Sequence, residues 1–364
     1  MTRAISWIKK EPVLFAALLC ALVSVFFGAP AADYPGYLDY DVLMLLFCLM
    51  AVVAGLETAG LFDRTAQTLP RTFRTQRSLA LALLGVCFFG AMLFTNDVAL
   101  IAFVPLALKL FDEKQPRARM FLVSAMAVAA NLGSLVTPVG NPQNLFLYSF
   151  YGLSISGFFA VTLPLGGVCL LLCVLLGLYF RKTPARKTAQ VQIDLDKRRI
   201  VFYFALFALC LLAVLRVLPV WLCFVLTLLA ILLFDRARLM QVDYALLVTF
   251  VCFFVFSGNL KALPGFGSLL ARLLTGRECL VAALLSQISS TVPAAVLLAP
   301  FTQNGAGLLL GVNIGGLGTP IASLASLIAF KLYLKAPGAK AGAYLAVFSV
   351  MNFALLLLLL LLFA

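Results

Sequence analysis

Apolar runs long enough to cross a lipid bilayer recur along this chain, at 12–29, 40–61, 156–180, 200–217, 219–234, 241–260 and 341–363. A helix needs about 20 such residues to span the hydrocarbon core. Within that core every backbone N–H and C=O must find a partner inside the protein, which favours helices. The fold class that follows is an all-α polytopic membrane protein. Composition agrees, because 64% of the 364 residues are hydrophobic and 11% are charged; soluble domains carry about a quarter. There are no histidines, which removes His-based metal sites and Ser-His or Cys-His catalysis. The nine cysteines lie in apolar stretches without a CxxC pair and read as core filler. With no paired catalytic aspartates at a recognisable spacing either, the chain does not read as an enzyme.

Four further apolar segments are interrupted: 78–94 with 98–110, 118–150, 278–289 with 293–301, and 307–330. Taking 78–110 and 278–301 as re-entrant hairpins, and the other two as broken transmembrane helices, gives about nine full crossings. With the N-terminus inside, 23 of the 27 basic residues face the cytoplasm, and Arg216, Lys261, Arg272 and Arg277 face outside. That bias is the one cytoplasmic loops carry, and it sets the C-terminus outside. The net charge of +13 therefore reports topology, and no nucleic-acid partner is implied. Arg3, Lys9 and Lys10 precede the first span without a small-residue cleavage signature, so it reads as a retained helix. Trp7 and Trp221 suit the membrane interfaces.

The chain also repeats itself. Residues from Asp41 align with those from Asp243; FTNDVALIAFVP, ending at Pro105, aligns with ISSTVPAAVLLAP, ending at Pro300. NLGSLVTPVGNPQN, from Asn131, aligns with NIGGLGTPIASLAS, from Asn313. Under the sidedness above, one copy begins outside and the other inside, the inverted construction typical of secondary transporters. The expected organisation is an N-terminal transmembrane helix in 1–37, a first repeat in 38–180, a basic cytoplasmic linker in 181–199 and a second repeat in 200–364.

Polar residues concentrate where the spans are interrupted. Thr95, Asn96 and Asp97 fall at the first hairpin tip, because the 13 residues that follow, 98–110 with Lys109 among them, are too few to cross comfortably. A helix starting there offers unpaired N–H groups and partial positive charge to an anion. A carboxylate at membrane depth costs about 2.5–3.5 kcal/mol or more, which marks Asp97 as functional. The second tip carries Ser289, Ser290 and Thr291, followed by Val292 and Pro293. Pro138 and Pro142 with Gly133 and Gly140 break the helix between Asn131 and Asn144, and Gly318 with Pro320 breaks its partner. Thr137, Asn141, Gln143, Asn144, Thr319, Ser323 and Ser326 supply polar groups at the breaks. Glu57 has two readings: it faces the site, or it lies near the cytoplasmic end beside Asp63 and Arg64.

These four blocks together resemble the ion transporter superfamily, which includes divalent anion/sodium symporters, arsenite efflux permeases and NhaD-type sodium/proton antiporters. The likeness covers roughly 38–335 and is greatest to compact SLC13-type anion permeases of bacterial inner membranes. It implies hairpins at the substrate site, a homodimer and an elevator-like motion. In the dicarboxylate symporters a Ser-Asn-Thr triplet at each tip holds a substrate carboxylate. Here Thr95 and Asn96 match the first two positions and Asp97 replaces the third; Ser290 matches the first, while Thr291 and Val292 depart. The resemblance therefore implies a secondary active transporter of a small anion or oxyanion across the inner membrane, coupled to Na⁺ or H⁺. The substrate-binding residues would be Thr95, Asn96, Ser290, Thr291, Thr137 and Thr319. The coupling ion would be served by Asp97, Asn96, Gly140, Asn141, Asn144 and Ser323, with no cofactor beyond Na⁺ itself. The competing expectation is a Na⁺/H⁺ antiporter with Asp97 as its ion-binding carboxylate.

Overall fold

A computed structural model describes residues 12–28, 31–111, 115–184, 195–263 and 265–364. Arg3, Trp7, Lys9 and Lys10, and residues 185–194 of the expected linker, lie outside the described residues. No strand is present among the described residues, in keeping with the all-α expectation.

The helices come in two passes of the same order. The first runs α1 (Pro12–Val25), a 3₁₀ turn (Ala31–Tyr37), α2 (Tyr40–Thr58), α3 (Leu61–Thr72), α4 (Gln76–Phe94), α5 (Asn96–Leu110), α6 (Pro116–Ser134), α7 (Pro142–Phe150) and α8 (Ile155–Leu178). After α9 (Lys197–Val214) the second runs α10 (Val220–Phe234), a 3₁₀ turn (Arg236–Gln241), α11 (Tyr244–Ala262), α12 (Phe266–Leu274), α13 (Glu278–Ser289) and α14 (Thr291–Leu298). It closes with α15 (Gly305–Ile314), α16 (Leu324–Leu334) and α17 (Ala341–Phe363). Among the described residues five helices, α2, α4, α8, α11 and α17, are long and apolar enough to cross a membrane unaided. The short amphipathic helices α3 and α12 hold equivalent places, each entered through a left-handed glycine, Gly60 (φ 81°) and Gly265 (φ 79°). At those angles a side chain with a Cβ would be strained.

Packing reproduces the same two-fold logic. Helix α1 lies on α11, and α10 lies on α2. The α4–α5–α6 cluster is matched by α13–α14–α15. The second halves of the broken helices cross over: α16 packs on α5 and α6, and α7 packs on α14 and α15. Helix α6 is buried on every face from Leu122 to Ser134, as befits the innermost element of a bundle. Its run of alanines, with Ala125, Ala127, Ala129 and Ala130 fully buried, allows close helix approach.

One register expectation changes. The N-cap of α2 is Asp39, whose carboxylate accepts from Val42 N–H at 3.0 Å. Its equivalent is Asp243, which accepts from Leu246 N–H at 2.9 Å and caps α11. Asp39, and not Asp41, is therefore the partner of Asp243. The first block shifts by two residues, and Glu57 corresponds to Lys261 instead of Asn259. Glu57 is exposed at the end of α2, whereas Asn259 is buried and donates to Ser24 Oγ at 3.0 Å.

Candidate functional site

A single residue forms each hairpin tip. Thr95 alone joins α4 to α5, and Ser290 alone joins α13 to α14. Their backbones match closely, at φ 73°, ψ 154° and φ 74°, ψ 160°. That region is close to glycine-only and costs about 1–3 kcal/mol, a strain typical of functional sites. Neither side chain caps the helix it precedes. The Ser290 hydroxyl instead donates to Ala322 O at 3.1 Å, and Thr291 N–H donates to the same oxygen at 3.0 Å. The tip is shorter than the three residues expected: Asn96 and Asp97 already form the first turn of α5.

The broken helices pin the hairpins from behind. Helix α6 ends at Ser134, and α7 restarts at Pro142 with Asn141 as N-cap, its Oδ1 accepting from Asn144 N–H at 2.8 Å. Proline suits that first helical position, since it has no N–H to leave unpaired. In the second repeat α15 ends at Ile314 and α16 restarts after Ser323. The Thr137 hydroxyl donates to Met92 O, and the Thr319 hydroxyl donates to Gln287 O at 2.9 Å. Met92 and Gln287 each stand three residues before their tip, so the two bonds are equivalent. Gly133 and Gly315 permit the approach: a Cβ at Gly133 would overlap Phe88 O, and one at Gly315 would sit 2.8 Å from Ala283 Cα.

At the centre the repeats hold each other. Asn131 Oδ1 accepts from Asn96 Nδ2 at 3.1 Å and from the Ser323 hydroxyl at 2.8 Å. Asn131 Nδ2 donates to Ser326 Oγ at 3.2 Å. Reciprocally, Asn313 Oδ1 accepts from Asn141 Nδ2 at 3.2 Å, and Asn313 Nδ2 donates to Asn144 Oδ1 at 2.6 Å. The Asn144 amide also faces Ser134 O, Leu135 O and Thr137 O at 3.3, 3.0 and 3.0 Å. Buried polar groups need such partners, and here the repeats supply them mutually.

Hydrogen bonds thus link Asn96 to Asn131, Thr137 to Met92 and Asn144, and Asn141 to Asn144 in the first repeat, Ser290 to Ala322 and Thr319 to Gln287 in the second, and Ser323 to Asn131 across the two. Gly140 is packed against Ser134 O, where a Cβ would overlap. Asp97 is the one charged residue in the two tips and two breaks, which contain no Lys or Arg. Its Oδ1 is buried without a hydrogen-bond partner among the described residues. Sequence reasoning missed Gln287, which lies beside Ser286 in the second hairpin arm and binds the break of its own repeat. A lone amide in a hairpin arm, three residues before the tip, was the available signal. Outside these segments, Arg216 secures the end of α7, donating to Gly152 O and Tyr148 O at 3.2 and 3.3 Å and lying 4.9 Å over the Tyr148 ring.

Two repeats with paired tips facing paired helix breaks define a multi-pass membrane transporter. The chain belongs to the citrate transporter (CitMHS) family, whose sequence profile matches residues 4–307. It is 32% identical over 326 residues to the inner membrane protein YbiR of Escherichia coli, covering 87% of both chains. It is also 32% identical to the transporter MJ0456 of Methanocaldococcus jannaschii, covering 81% of both. A match at 33% identity to the silicon efflux transporter LSI3 of rice covers 46% of this chain and 35% of that one. Among solved structures, the YdaH transporter of Alcanivorax borkumensis superposes with a TM-score of 0.57 at 16% identity, over 91% of this chain and 86% of that one. At that identity the likeness concerns the fold.

Proposed function

We propose that the protein is a secondary active transporter of a small anion or oxyanion across the inner membrane, coupled to H⁺ or Na⁺ at Asp97. The observation that carries this reading is the Asp97 Oδ1, buried without a partner in the first turn of α5. The N-terminus of α5 attracts an anion through its N–H groups and helix dipole. An ionised Asp97 in the same turn repels that anion. Two like charges about 4 Å apart repel by about 4 kcal/mol at an effective dielectric near 20, close to a thousandfold in affinity. Neutralising Asp97 with a proton or Na⁺ removes the penalty, and that is how ion and anion become coupled.

The family is named for citrate, and the rice relative for silicon efflux. Citrate carries up to three carboxylates, and no Lys or Arg stands in the tips or breaks to balance them. Hydroxyls, amides and backbone N–H groups suit a smaller solute of low charge. Thr95, Asn96, Ser290, Thr291, Thr137 and Thr319 would meet it, while Asp97, Asn96, Gly140, Asn141, Asn144 and Ser323 would serve the ion. Alternating access and a homodimer accompany the proposal by resemblance, and a cytoplasmic N-terminus by the distribution of basic residues.

A second reading, a Na⁺/H⁺ antiporter, draws on the same carboxylate. Currents from reconstituted protein on a solid-supported membrane separate the two. Small oxyanions should evoke currents that pH or Na⁺ modulates; currents evoked by Na⁺ and pH jumps alone would replace this reading with the second.

A further inference from the structure

The two repeats are equivalent in element order but differ in how they meet the centre. Helix α2 packs on α7, whereas α11, the counterpart of α2, packs on α14. Identical arrangements would place α11 on α16 and α2 on α5, and among the described residues neither pair is closely packed.

A polar contact follows the same division. Ser149, on α7, donates to Asp39 Oδ2 at 3.3 Å, and Asp39 is the N-cap of α2. Ser149 and Lys331 are each the eighth residue of their helix, α7 from Pro142 and α16 from Leu324, so Lys331 is the counterpart of Ser149. Asp243 caps α11 as Asp39 caps α2. Its carboxylate accepts from Leu246 N–H and, among the described residues, meets no cation. Lys331 and Asp243 are both exposed.

The contact that is made has a second fastening. Arg216, in the turn between α9 and α10, donates to Tyr148 O and Gly152 O on either side of Ser149. Its φ of 60° makes it one of three non-glycine residues with positive φ among the described residues, the others being the tip residues Thr95 and Ser290. Helix α10 then carries the chain about 22 Å away from that turn, towards Asp243. The fastened α7 and the unpaired Asp243 therefore lie at opposite ends of the molecule.

We propose that the protein alternates between this conformation and one in which the repeats exchange roles: α2 leaves α7, α11 settles on α16, and Lys331 pairs with Asp243 as Ser149 now does with Asp39. The proposal rests on the reading of the chain as a secondary transporter, in which one repeat moves against the other around a fixed site. Asp39 and Arg216 fasten α7 at one end in the conformation described; the ion pair fastens α16 at the other end in its alternate. Lys331 and Asp243 are positioning residues and do not touch the solute.

The test uses full-length protein in liposomes and two cysteine pairs, Asp39→Cys with Ser149→Cys and Asp243→Cys with Lys331→Cys, oxidised with copper phenanthroline. Disulfides are counted after denaturation, as free thiols lost relative to the parent chain. Each pair alone is expected to cross-link; with all four substitutions in one chain, either disulfide should form but never both in one molecule. Absence of the cross-link between positions 243 and 331, or its coexistence with the other, would overturn the proposal. Cysteine removes the helix caps, so a second measurement uses Asp243→Asn, which keeps the cap, and Lys331→Gln. Labelling of Ser149→Cys by a water-soluble maleimide should slow by up to about fivefold when either is added, the reach of one exposed ion pair, and no further when both are. Unchanged labelling in all three overturns the proposal as well. Failure of the transport reading is visible separately: the unsubstituted protein then gives no current with small oxyanions, Na⁺ or pH jumps, whatever the cross-links show.

Discussion

Asn131 and Asn313 occupy equivalent positions in the two repeats, and each one binds the start of the helix that belongs to the other. Asn131 takes the Ser323 hydroxyl at 2.8 Å and reaches Ser326; Asn313 takes the Asn141 amide at 3.2 Å and reaches Asn144. Asn131 also receives Asn96 from the first turn of α5 and donates to Gly316 O.

Removing either asparagine strands several buried partners. Leaving a buried polar group unpaired costs about 1–3 kcal/mol, so Asn131→Ala and Asn313→Ala should each lower stability by roughly 2–4 kcal/mol, on the scale of a broken buried network. Thermal unfolding in detergent checks this, and a smaller loss for Asn131→Ala than for Asn313→Ser would contradict the shared-centre account.

The tip conformation yields a second expectation with opposite signs for stability and transport. Thr95→Gly relieves a positive-φ strain, with a gain of about 1 kcal/mol expected, whereas Ser290→Gly also loses the hydroxyl bond to Ala322 O and should gain less. Transport should fall at least tenfold in both, through loss of the hydroxyl. Unchanged transport in Thr95→Gly would remove that hydroxyl from the solute site.

Close packing supplies a matched pair. Gly133→Ala drives a methyl group into the Phe88 carbonyl, which is backbone and cannot turn away; overpacking of this kind costs about 1–3 kcal/mol or more. Gly85→Ala, in the same neighbourhood on α4, meets nothing within 4 Å and should gain up to about 1 kcal/mol in helix propensity. Midpoint shifts of the same sign for the two would contradict the packing described.

Asp97→Asn removes the ionisable group and the charge together. Oxyanion-evoked currents in this variant should lose their dependence on pH and Na⁺, whereas Asp97→Glu should keep a dependence at reduced amplitude. Coupled currents at wild-type size in Asp97→Asn would dismiss the residue from the mechanism.

Much of this arrangement is legible before folding. Consecutive polar residues in apolar arms mark both tips, and proline with glycine marks both breaks, because membrane depth tolerates neither without a reason. Position along an apolar helix is harder to read. The spans beginning near Asp39 and Asp243 look alike at several offsets, and only cap chemistry, the bonds to Val42 and Leu246, fixes which aspartates correspond. Gln287 escaped for a related reason: its partners, Gly315, Leu317 and Thr319, lie in a helix break whose geometry a sequence does not contain. Asn131 and Asn313 were visible as markers of the repeat, but their exchange of partners follows from the crossing of α7 and α16, which no local pattern encodes.

That exchange has a mechanical consequence. The hairpins and broken helices are tied together at their middle by directional bonds, and they also meet α3, α9 and α11 through rings: Phe94 against Phe62 and Phe207, and Phe146 against Phe250 and Phe254. Hydrogen bonds resist shear because they are lost with small displacements, while apolar faces can slide and re-form contact. Directional bonds therefore hold the hub, and apolar contacts surround it.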